Sequence, residues 1–375
     1  MCGISAYIGF RQAYPIVING LKRLEYRGYD SAGLMIYDGE KMQLSKTKGK
    51  VSDLELITNI KEEKKKGNIG IGHTRWATHG VPNDVNSHPH CSQSGDLVIV
   101  HNGIIENYDT IRKELITRGY TSKSDTDTEV LINLIEEVKL TEGCKLGKAV
   151  QLALTNVVGA YAIAVFDRTN PDEIIVARLG SPIAIGVGIE NNEFFVASDA
   201  SPFVEYTKNA IYLKDEEMAI IQLGQDIKVH RIHDDALVDP IIQKLQMSLE
   251  QIEKGGYEHF MLKEIHEQPK AITDTFRGRM LAKENMIRMS SVEDNLDKFL
   301  NADRIIIVAC GTSWHAGLVA EYLIEDMARI PVEVEYASEF RYRNPIITDK
   351  DIVIAISQSG ETADTLAAIK LAKSK

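Results

Sequence analysis

The second residue of the chain is a cysteine, and its position gives it potential chemistry. Removal of Met1, which is favoured before a small residue, would leave Cys2 with both a thiol and a free α-amino group. That amine has an unperturbed pKa of about 7.7 to 8.0, so part of it is neutral at cellular pH and can accept the thiol proton, directly or through a water molecule. Cys2 is therefore a candidate nucleophile that needs no separate histidine, although a cysteine near the start of a chain can equally be incidental.

Four further segments accompany this cysteine: RLEYRGYDSAG at 23–33, GHTRWATHG at 72–80, HNGIIENY at 101–108 and SDTDTEV at 124–130. Together with MCGI they resemble, in order and spacing, the glutaminase domain of the glucosamine-6-phosphate synthase family, the isomerizing glutamine–fructose-6-phosphate aminotransferases. Its members are N-terminal-nucleophile amidotransferases. The resemblance covers nearly all of residues 1–240 and implies that Cys2 hydrolyses the side-chain amide of L-glutamine.

Amide hydrolysis passes through a tetrahedral oxyanion, which requires two fixed hydrogen-bond donors worth about 2.7 to 4 kcal/mol each. The resemblance assigns this task to Asn102 and Gly103, a side-chain amide and a backbone N–H at a residue that the substrate can approach closely. The residues by themselves leave a second interpretation open, in which Asn102 and Gly103 form a turn between two strands.

Free glutamine also presents an α-carboxylate and an α-ammonium group. The resemblance assigns the carboxylate to Arg75, which can form a bidentate fork, and the ammonium to Asp127. From the residues alone, Arg75 could be a surface charge and Asp127 the N-cap of the helix that follows. The other residues that the resemblance places in this site are Arg27, Trp76, Thr78 and His79, with Trp76 in a lid that excludes water. His88 is near a second candidate loop and receives no role.

Two loops near the end of the chain are rich in small and hydroxyl residues and directly precede predicted helices. They are GTSWHAG at 311–317 and SQSGET at 357–362. Backbone N–H groups and hydroxyls at helix N-termini favour a bound phosphate, although such residues can also be plain helix caps. Neither loop matches a P-loop or a dinucleotide fingerprint. After a glutaminase, they are similar to the sugar isomerase (SIS) domain of the same family, whose substrate is fructose 6-phosphate. The candidate phosphate donors are Thr312, Ser313, Ser357, Gln358, Ser359 and Thr362.

The elements that must position these residues follow from hydrophobic periodicity. Up to about residue 230, short apolar strands joined by turn signals alternate with groups of amphipathic helices, which favours antiparallel sheets in an α/β/β/α sandwich. The predicted strands are 4–10, 33–37, 69–73, 97–101, 160–166, 174–178, 183–186, 193–197, 218–222 and 227–232, and the predicted helices are 15–24, 107–118, 128–139 and 146–157.

Residues 304–375 have a different pattern, with strands at 305–309, 332–336 and 352–356 separated by helices. This order is typical of a parallel, doubly wound (flavodoxin-like) sheet, but three strands are fewer than such a sheet usually has. We therefore predict a glutaminase domain at 1–240, a helical connection at 241–303 that starts with an amphipathic helix from Pro240 to Gly255, and the N-terminal part of a first SIS domain at 304–375.

Composition excludes several classes of protein. The formal net charge of −11 opposes binding to nucleic acid and to anionic lipid. The amino terminus does not resemble an export signal, and no apolar run approaches a membrane span, so we expect a cytoplasmic protein. Cysteines at positions 2, 91, 144 and 310 form no CxxC pair, so we expect neither disulfides nor a metal site, and no cofactor.

These observations predict a glutamine-dependent aminotransferase (isomerizing) of amino-sugar synthesis, with fructose 6-phosphate as ammonia acceptor and a homodimer when full-length. The family's ring-opening histidine, proton-shuttling glutamate and substrate-binding lysines would lie beyond Lys375. The 375 residues are therefore expected to hydrolyse glutamine but to make little or no glucosamine 6-phosphate. Two alternatives stay open: another amidotransferase of the same nucleophile type, with a pyrophosphorylated ribose or ATP in its acceptor domain, and a non-catalytic phosphosugar sensor.

Overall fold

The computed structural model describes residues 2–25, 28, 30–59, 65–76, 80–245, 257–276, 279–281, 286–287, 289–293, 295–358, 360 and 362–375. The chain divides into two compact units, Met1–Glu253 and Lys254–Lys375. The finer division into residues 1–240, 241–303 and 304–375 stays a prediction. Among the described residues, no helix combines the length and the apolar composition that a membrane crossing requires.

The first unit is built from short strands with helices grouped between them. The described strands are β1 (Gly3–Ile8), β2 (Ser31–Tyr37), β3 (Met42–Lys48), β4 (Ile69–Arg75), β5 (His90–Cys91), β6 (Leu97–Ile105), β7 (Gly159–Asp167), β8 (Glu173–Leu179), β9 (Ala184–Val187), β10 (Phe194–Ala197), β11 (Asn209–Tyr212), β12 (Glu217–Gln222), β13 (Lys228–Arg231), β14 (Leu237–Val238) and β15 (Ile242–Lys244). The helices are α1 (Ala13–Leu24), α2 (Val51–Asn59), α3 (Tyr108–Thr117), α4 (Asp127–Glu142) and α5 (Leu146–Leu154), with a 3₁₀ turn at Ile189–Asn191.

These strands form two sheets that stack face to face. One sheet has the order β15-β11-β9-β10-β1-β4-β2-β3 and the other the order β14-β13-β12-β8-β7-β6-β5. Side chains alternate between the faces of a strand, so Ile4, Ala6 and Ile8 of β1 share one buried cluster with Val98 and Val100 of β6. This cluster is the core between the sheets.

Helices cover the outer faces of both sheets. On the first sheet, Val17 and Leu21 of α1 pack in one cluster with Leu34 of β2. On the second sheet, α4 and α5 pack against residues such as Ile99 and Ile163, which point away from the core between the sheets. The predicted α/β/β/α sandwich is therefore confirmed.

The prediction misses some elements and misassigns one. The strands β3 and β11 and the helix α2 were not expected. The helix predicted from Pro240 is wrong at its start, because Ile242–Lys244 form β15, which pairs with β11. The apolar spacing around residue 242 fits a helix, but the backbone of an edge strand offers this segment partners that no local pattern reveals. The rest of that predicted helix, residues 246–255, lies outside the described residues.

The second unit begins with α6 (Phe260–Phe276), followed by a hairpin of β16 (Met280–Leu281) and β17 (Met286–Ile287), α7 (Ser290–Glu293) and α8 (Leu296–Leu300). The antiparallel pairing of β16 with β17 lies within residues 241–303, which are predicted to form a helical connection. There follow β18 (Arg304–Ala309), α9 (Thr312–Ala328), β19 (Val332–Tyr336), α10 (Ala337–Tyr342), β20 (Asp351–Ile356) and α11 (Ala363–Ser374).

The last three strands form a parallel sheet in the order β19-β18-β20. One face packs against α9 and the other against α10 and α11, which confirms the doubly wound arrangement. The chain passes from β18 to a neighbour on one side and then returns to the other side, so the strand order reverses between β18 and β20. Ligands of open α/β sheets bind outside the carboxyl ends of the strands at such a reversal. Both hydroxyl-rich loops leave the sheet at this edge.

Candidate active site

Cys2 directly precedes β1, in the middle of the first sheet. Because β1 pairs with β4 with Gly3 opposite Thr74, the ladder holds the cysteine beside the end of β4. The backbone N–H of Trp76 donates to the Cys2 sulfur at 3.2 Å, and the thiol lies 3.6 Å from the Trp76 carbonyl oxygen. Burial raises the pKa of the Cys2 thiol. The sulfur is therefore protonated at neutral pH and requires a base before it can attack.

Asn102 reaches Cys2 from the second sheet. Its side chain is buried within β6, and its Nδ2 donates to the Cys2 carbonyl oxygen at 3.1 Å and to the Ser198 hydroxyl at 2.9 Å. Its Oδ1 lies 2.9 Å from Nε2 of His73. The interpretation of Asn102 and Gly103 as a turn is wrong, because both residues lie inside the ladder of β6 with β7.

Gly103 has a conformation that favours glycine. Its φ is +142°, and a Cβ at this position would lie 2.0 Å from the carbonyl oxygen of Ala160 on β7. Any side chain would therefore both strain the backbone and collide with the neighbouring strand. This requirement explains the glycine beside Asn102 in structural terms, independently of any substrate.

Arg75 is the last residue of β4 and only 4% exposed, so the interpretation as a surface charge is wrong. Its Nη2 lies 3.4 Å from the carbonyl oxygen of Gly80. Burial lowers the pKa of Arg75, whereas the charges of Asp30, Cys2 and Asp127 act in the opposite direction. The guanidinium thus lies in a buried region that it shares with two carboxylates and the candidate nucleophile.

Asp127 is the first residue of α4 and is buried. Its Oδ2 accepts a hydrogen bond from the backbone N–H of Ile105 at 2.8 Å, close to Gly103 along β6. The interpretation of Asp127 as the N-cap is wrong, since the cap is Thr126, whose hydroxyl accepts from the Glu129 N–H. Asp127 therefore faces the strand that carries Asn102, and the helix end is closed by another residue.

The remaining glutamine-site candidates are described only in part. Trp76 is 51% exposed and follows β4 directly. Arg27, Thr78 and His79 lie outside the described residues, so their roles stay predictions.

A group of buried histidines beside Asn102 was not expected from the sequence. His73 stacks on His88 with ring centroids 4.2 Å apart, and His88 meets His90 edge to face at 4.9 Å. Burial lowers the pKa of His73 to about 3 and the pKa of His88 and of His90 well below the usual range, so these rings are neutral. A histidine within an apolar strand, as in IGIGHT around His73, is the signal that could have indicated them.

In the second unit, the first candidate phosphate loop is shorter than predicted. The helix α9 begins at Thr312, inside the segment 311–317 that is predicted to be a loop, so Thr312 and Ser313 lie in its first turn. Its N-cap is Gly311, and no side chain caps the helix. The hydroxyls of Thr312 and Ser313 are therefore not N-caps, which contradicts the plain-cap interpretation for this loop.

The second candidate phosphate loop joins β20 to α11. The Ser357 hydroxyl accepts from the Gly360 N–H at 3.0 Å and lies 3.4 Å from the hydroxyl of Thr362. Thr362 is the N-cap of α11, but its side chain makes no capping hydrogen bond. Gln358 is exposed, and Ser359 lies outside the described residues. The loop thus holds its hydroxyls close together at the carboxyl edge of the sheet.

Within the described part of the chain, no three histidine, cysteine or carboxylate side chains are grouped in a way that could hold a metal ion. The four cysteines are free thiols.

Comparison with protein families gives two matches that together extend from residue 58 to residue 375. The model of the glutamine amidotransferase domain matches residues 58–247, which is half of the chain. The model of the SIS domain matches residues 298–375.

Curated relatives are similar to the whole chain. The glutamine–fructose-6-phosphate aminotransferase (isomerizing) of Bacteroides thetaiotaomicron is 57% identical over all of this chain and 60% of its own length. The enzymes of the same name from Chlorobaculum tepidum and Pyrococcus horikoshii are 54% and 48% identical, again over all of this chain and 61% and 60% of their own lengths. The chain therefore spans about 60% of the length of the curated relatives that it matches.

Solved structures share the fold. Glutamine phosphoribosylpyrophosphate amidotransferase from B. subtilis, complexed with ADP and GMP, aligns over 89% of this chain and 65% of its own with a TM-score of 0.54 and 24% identity. A structure described as the allosteric regulatory enzyme of purine biosynthesis aligns over 96% of this chain and 69% of its own, with a TM-score of 0.55 and 24% identity. At this identity the likeness supports the fold alone.

Proposed function

The chain belongs to the glutamine amidotransferase family, and on this premise we propose that it hydrolyses the side-chain amide of L-glutamine with Cys2 as the nucleophile after removal of Met1. One observation carries the proposal: Cys2 and Asn102 come from different sheets, and the Asn102 amide nitrogen lies 3.1 Å from the Cys2 carbonyl oxygen. A nucleophile and a donor for the oxyanion are therefore adjacent.

The reaction requires the Cys2 thiol to lose its proton, because burial keeps it in the thiol form. The free α-amine of Cys2 accepts this proton, and the sulfur attacks the carboxamide carbon of glutamine. The carbonyl oxygen becomes an oxyanion that accepts hydrogen bonds from Asn102 Nδ2 and the Gly103 N–H. The intermediate then expels ammonia, which takes the proton from the amine, and leaves a thioester. Attack by water releases glutamate and the free thiol.

Recognition of free glutamine falls to two buried charges, one at the end of β4 and one at the start of α4. Arg75, at the end of β4, supplies a fork for the α-carboxylate. The Oδ2 of Asp127 accepts from the Ile105 N–H, and its Oδ1, which lies 3.4 Å from the Thr128 hydroxyl, retains acceptor capacity for the α-ammonium group. Trp76, Arg27, Thr78 and His79 complete the proposed pocket.

We extend the proposal to the second unit, where the phosphate of fructose 6-phosphate binds at the strand reversal between β18 and β20. Thr312 and Ser313 on one side and Ser357, Gln358, Ser359 and Thr362 on the other are the proposed donors. The names of the curated relatives support fructose 6-phosphate as the acceptor of the ammonia. In this proposal the protein acts on glutamine and a phosphosugar in the cytoplasm, as a homodimer when full-length, without nucleic acid or membrane.

Two alternatives make different predictions. An amidotransferase with a ribose pyrophosphate or ATP acceptor fits poorly with the SIS match over residues 298–375. A non-catalytic phosphosugar sensor would have no need of Cys2.

The test is the variant Cys2→Ala. We expect glutamate release from glutamine to fall to background, because the only proposed nucleophile is lost, while the thermal unfolding midpoint stays close to that of the parent chain. A matched Cys144→Ala variant serves as the control and should keep full activity. Unchanged release by Cys2→Ala would contradict the proposal, and intact mass would report whether Met1 has been removed.

A further inference from the structure

Among the described residues, the amide of Asn102 is held by two buried side chains, His73 and Ser198, to which the sequence motifs gave no role. His73 on β4 lies on the Oδ1 side of the amide, and Ser198 lies on the Nδ2 side. His73 is 1% exposed and Ser198 is 1% exposed, so water does not compete for either contact. The orientation of the amide is therefore determined by the protein interior.

The two oxygen atoms beside the imidazole of His73 determine which ring nitrogen carries the hydrogen. Its Nε2 lies 3.1 Å from the carbonyl oxygen of His101 and 2.9 Å from Asn102 Oδ1. A backbone carbonyl oxygen can only accept, so Nε2 must carry the hydrogen. The other ring nitrogen, Nδ1, has no hydrogen-bond partner among the described residues, which leaves it free to be the unprotonated nitrogen.

This tautomer fixes which way Asn102 points. A flipped amide would place its NH₂ group against the Nε2–H of His73, and two donors would face each other in a buried site. With Oδ1 on His73, the Nδ2 group must face Ser198 and Cys2. Ser198 accepts one of its hydrogens, and the other is directed at the Cys2 carbonyl oxygen at 3.1 Å. The same N–H can instead donate its hydrogen bond to an oxyanion without rotation of the amide.

The ring of His73 is itself held in place. It stacks on His88, with an angle of 17° between the ring planes, and β4 pairs with β1 on one side and β2 on the other. Burial lowers the pKa of His73 to about 3, so the ring stays neutral across the pH range in which the enzyme would work.

We propose that His73 is a positioning residue for glutamine hydrolysis, which acts through its Nε2–H to hold the Asn102 amide with Nδ2 toward the oxyanion. The inference rests on the proposed function of Cys2 and adds a residue that does not touch the substrate. The inference predicts that position 73 requires a hydrogen-bond donor where Nε2 of the imidazole lies. A side chain of similar size, or an aromatic ring without that donor, should not suffice.

Three substitutions separate these requirements. The amide nitrogen of glutamine in His73→Gln can reach the place of the imidazole Nε2, whereas that of asparagine in His73→Asn reaches only the place of Nδ1. His73→Phe keeps the ring and its stacking but has no donor. We expect kcat to fall about 10- to 100-fold in His73→Asn and His73→Phe, which is less than the 10²- to 10³-fold typical of complete loss of an oxyanion donor. His73→Gln should stay within a few-fold of the parent, and KM should change little in all three.

Alkylation of Cys2 by iodoacetamide supplies a second readout. Displacement of iodide forms no oxyanion, so the alkylation rate reports the nucleophile without the oxyanion hole. We expect the rate to be unchanged in His73→Asn, with intact mass showing the same amino terminus and thermal unfolding showing a folded chain. A parallel fall in alkylation and in kcat would overturn the inference, as would His73→Gln as slow as His73→Asn, or His73→Asn as fast as the parent.

Failure of the proposed function itself has a different signature. In that case the parent chain would release no glutamate, or Cys2→Ala would release it at the parent rate. If the parent is active and Cys2-dependent while the His73 series shows none of the expected differences, only the positioning role is refuted.

Discussion

The proposed glutaminase site and the proposed sugar-phosphate loops hold their donors on different kinds of structure. Asn102 lies buried within a strand, and both atoms of its amide group have protein partners from other elements. Ser357 lies in the loop after β20, half-buried, and its described hydrogen-bond partners belong to the same loop. Gln358 in that loop is exposed.

This difference matches the two kinds of charge that the sites must stabilise. An oxyanion exists only near the transition state, so its donors must be in place beforehand, because reorganisation at that moment would raise the barrier. A phosphate is charged throughout and can order a loop as it binds, at the expense of part of its affinity. We therefore expect substitutions in the first site to change kcat steeply and substitutions in the second to change affinity modestly.

Among substitutions of the candidate donors, the largest effect should come from Asn102→Ala. Loss of one oxyanion donor is expected to lower kcat by about 10² to 10³, with little change in KM, because the interaction is made only in the transition state. Steady-state glutamate release measures both constants. The same substitution at the exposed Asn192 is the control and should leave them unchanged. If Asn102→Ala changed kcat as little as Asn192→Ala does, the proposed difference between a rigid oxyanion site and an adaptable phosphate loop would be contradicted.

A change from Arg75 to lysine should affect binding more than chemistry. Lysine keeps the charge but loses the planar fork, so one charge-assisted hydrogen bond to the α-carboxylate is lost, and KM should rise about 10- to 100-fold. The matched control is Arg118→Lys, because Arg118 is exposed and directly follows α3. If Arg75→Lys lowered kcat at unchanged KM, the guanidinium would act at the reacting centre and not on the α-carboxylate.

The two units should also lose stability at different pH values. Burial lowers the pKa of His73 to about 3, whereas an unfolded histidine titrates near 6.5. Between these values the unfolded state binds more protons, so the stability of the first unit should be complete above about pH 6.5 and decline as the pH falls below it. In the second unit, a hydrogen bond from Arg304 lowers the pKa of Asp351. That contribution is present above the unfolded value near 3.9 and is lost only below it.

Hydrogen exchange at pH 7.5 and pH 5.0, corrected for intrinsic exchange rates, can follow peptides of each unit separately. We expect protection to fall at pH 5.0 in β4 and β6 while β18 and β20 stay protected. A His73→Gln variant should reduce the loss in the first unit, since glutamine does not titrate. Equal loss in both units would contradict the assignment of the effect to buried imidazoles.

Much of the architecture could be predicted from the sequence. Long apolar strands such as β7, and the alternation of strands and helices in residues 304–375, produce clear hydrophobic patterns. From these patterns the layered arrangement of sheets and helices could be predicted. The prediction missed shorter elements for a physical reason. The strand β15 has only three residues, and it pairs with residues of β11 that lie about thirty positions earlier in the chain. No local pattern encodes such an edge contact.

In the candidate site, too, some features could be predicted from local sequence and others depend on distant contacts. Motif order was enough to propose Cys2, Asn102 and Asp127 as candidates, but not to show that Thr126 is the N-cap of α4 or that Asn102 lies within a strand. The side chains that hold the Asn102 amide come from positions 73 and 198, and only the ladders of the folded sandwich bring them together. Sequence motifs thus suggest candidate reactive groups more readily than the side chains that pack around them.

The smallest effect is expected from Ser357→Ala in the second unit. The hydroxyl accepts from the Gly360 N–H, so its removal takes away one candidate donor to phosphate and also one bond that shapes the loop. A single neutral hydrogen bond contributes about 0.5 to 1.5 kcal/mol, so the affinity for fructose 6-phosphate should fall about 2- to 12-fold, with glutamate release unchanged. Calorimetric titration of the parent and the variant measures this, with the exposed Ser374→Ala as the control. A loss of a thousandfold would mean that this loop is as rigidly prepared as the oxyanion site, and no binding by the parent chain would contradict the sugar-phosphate proposal itself.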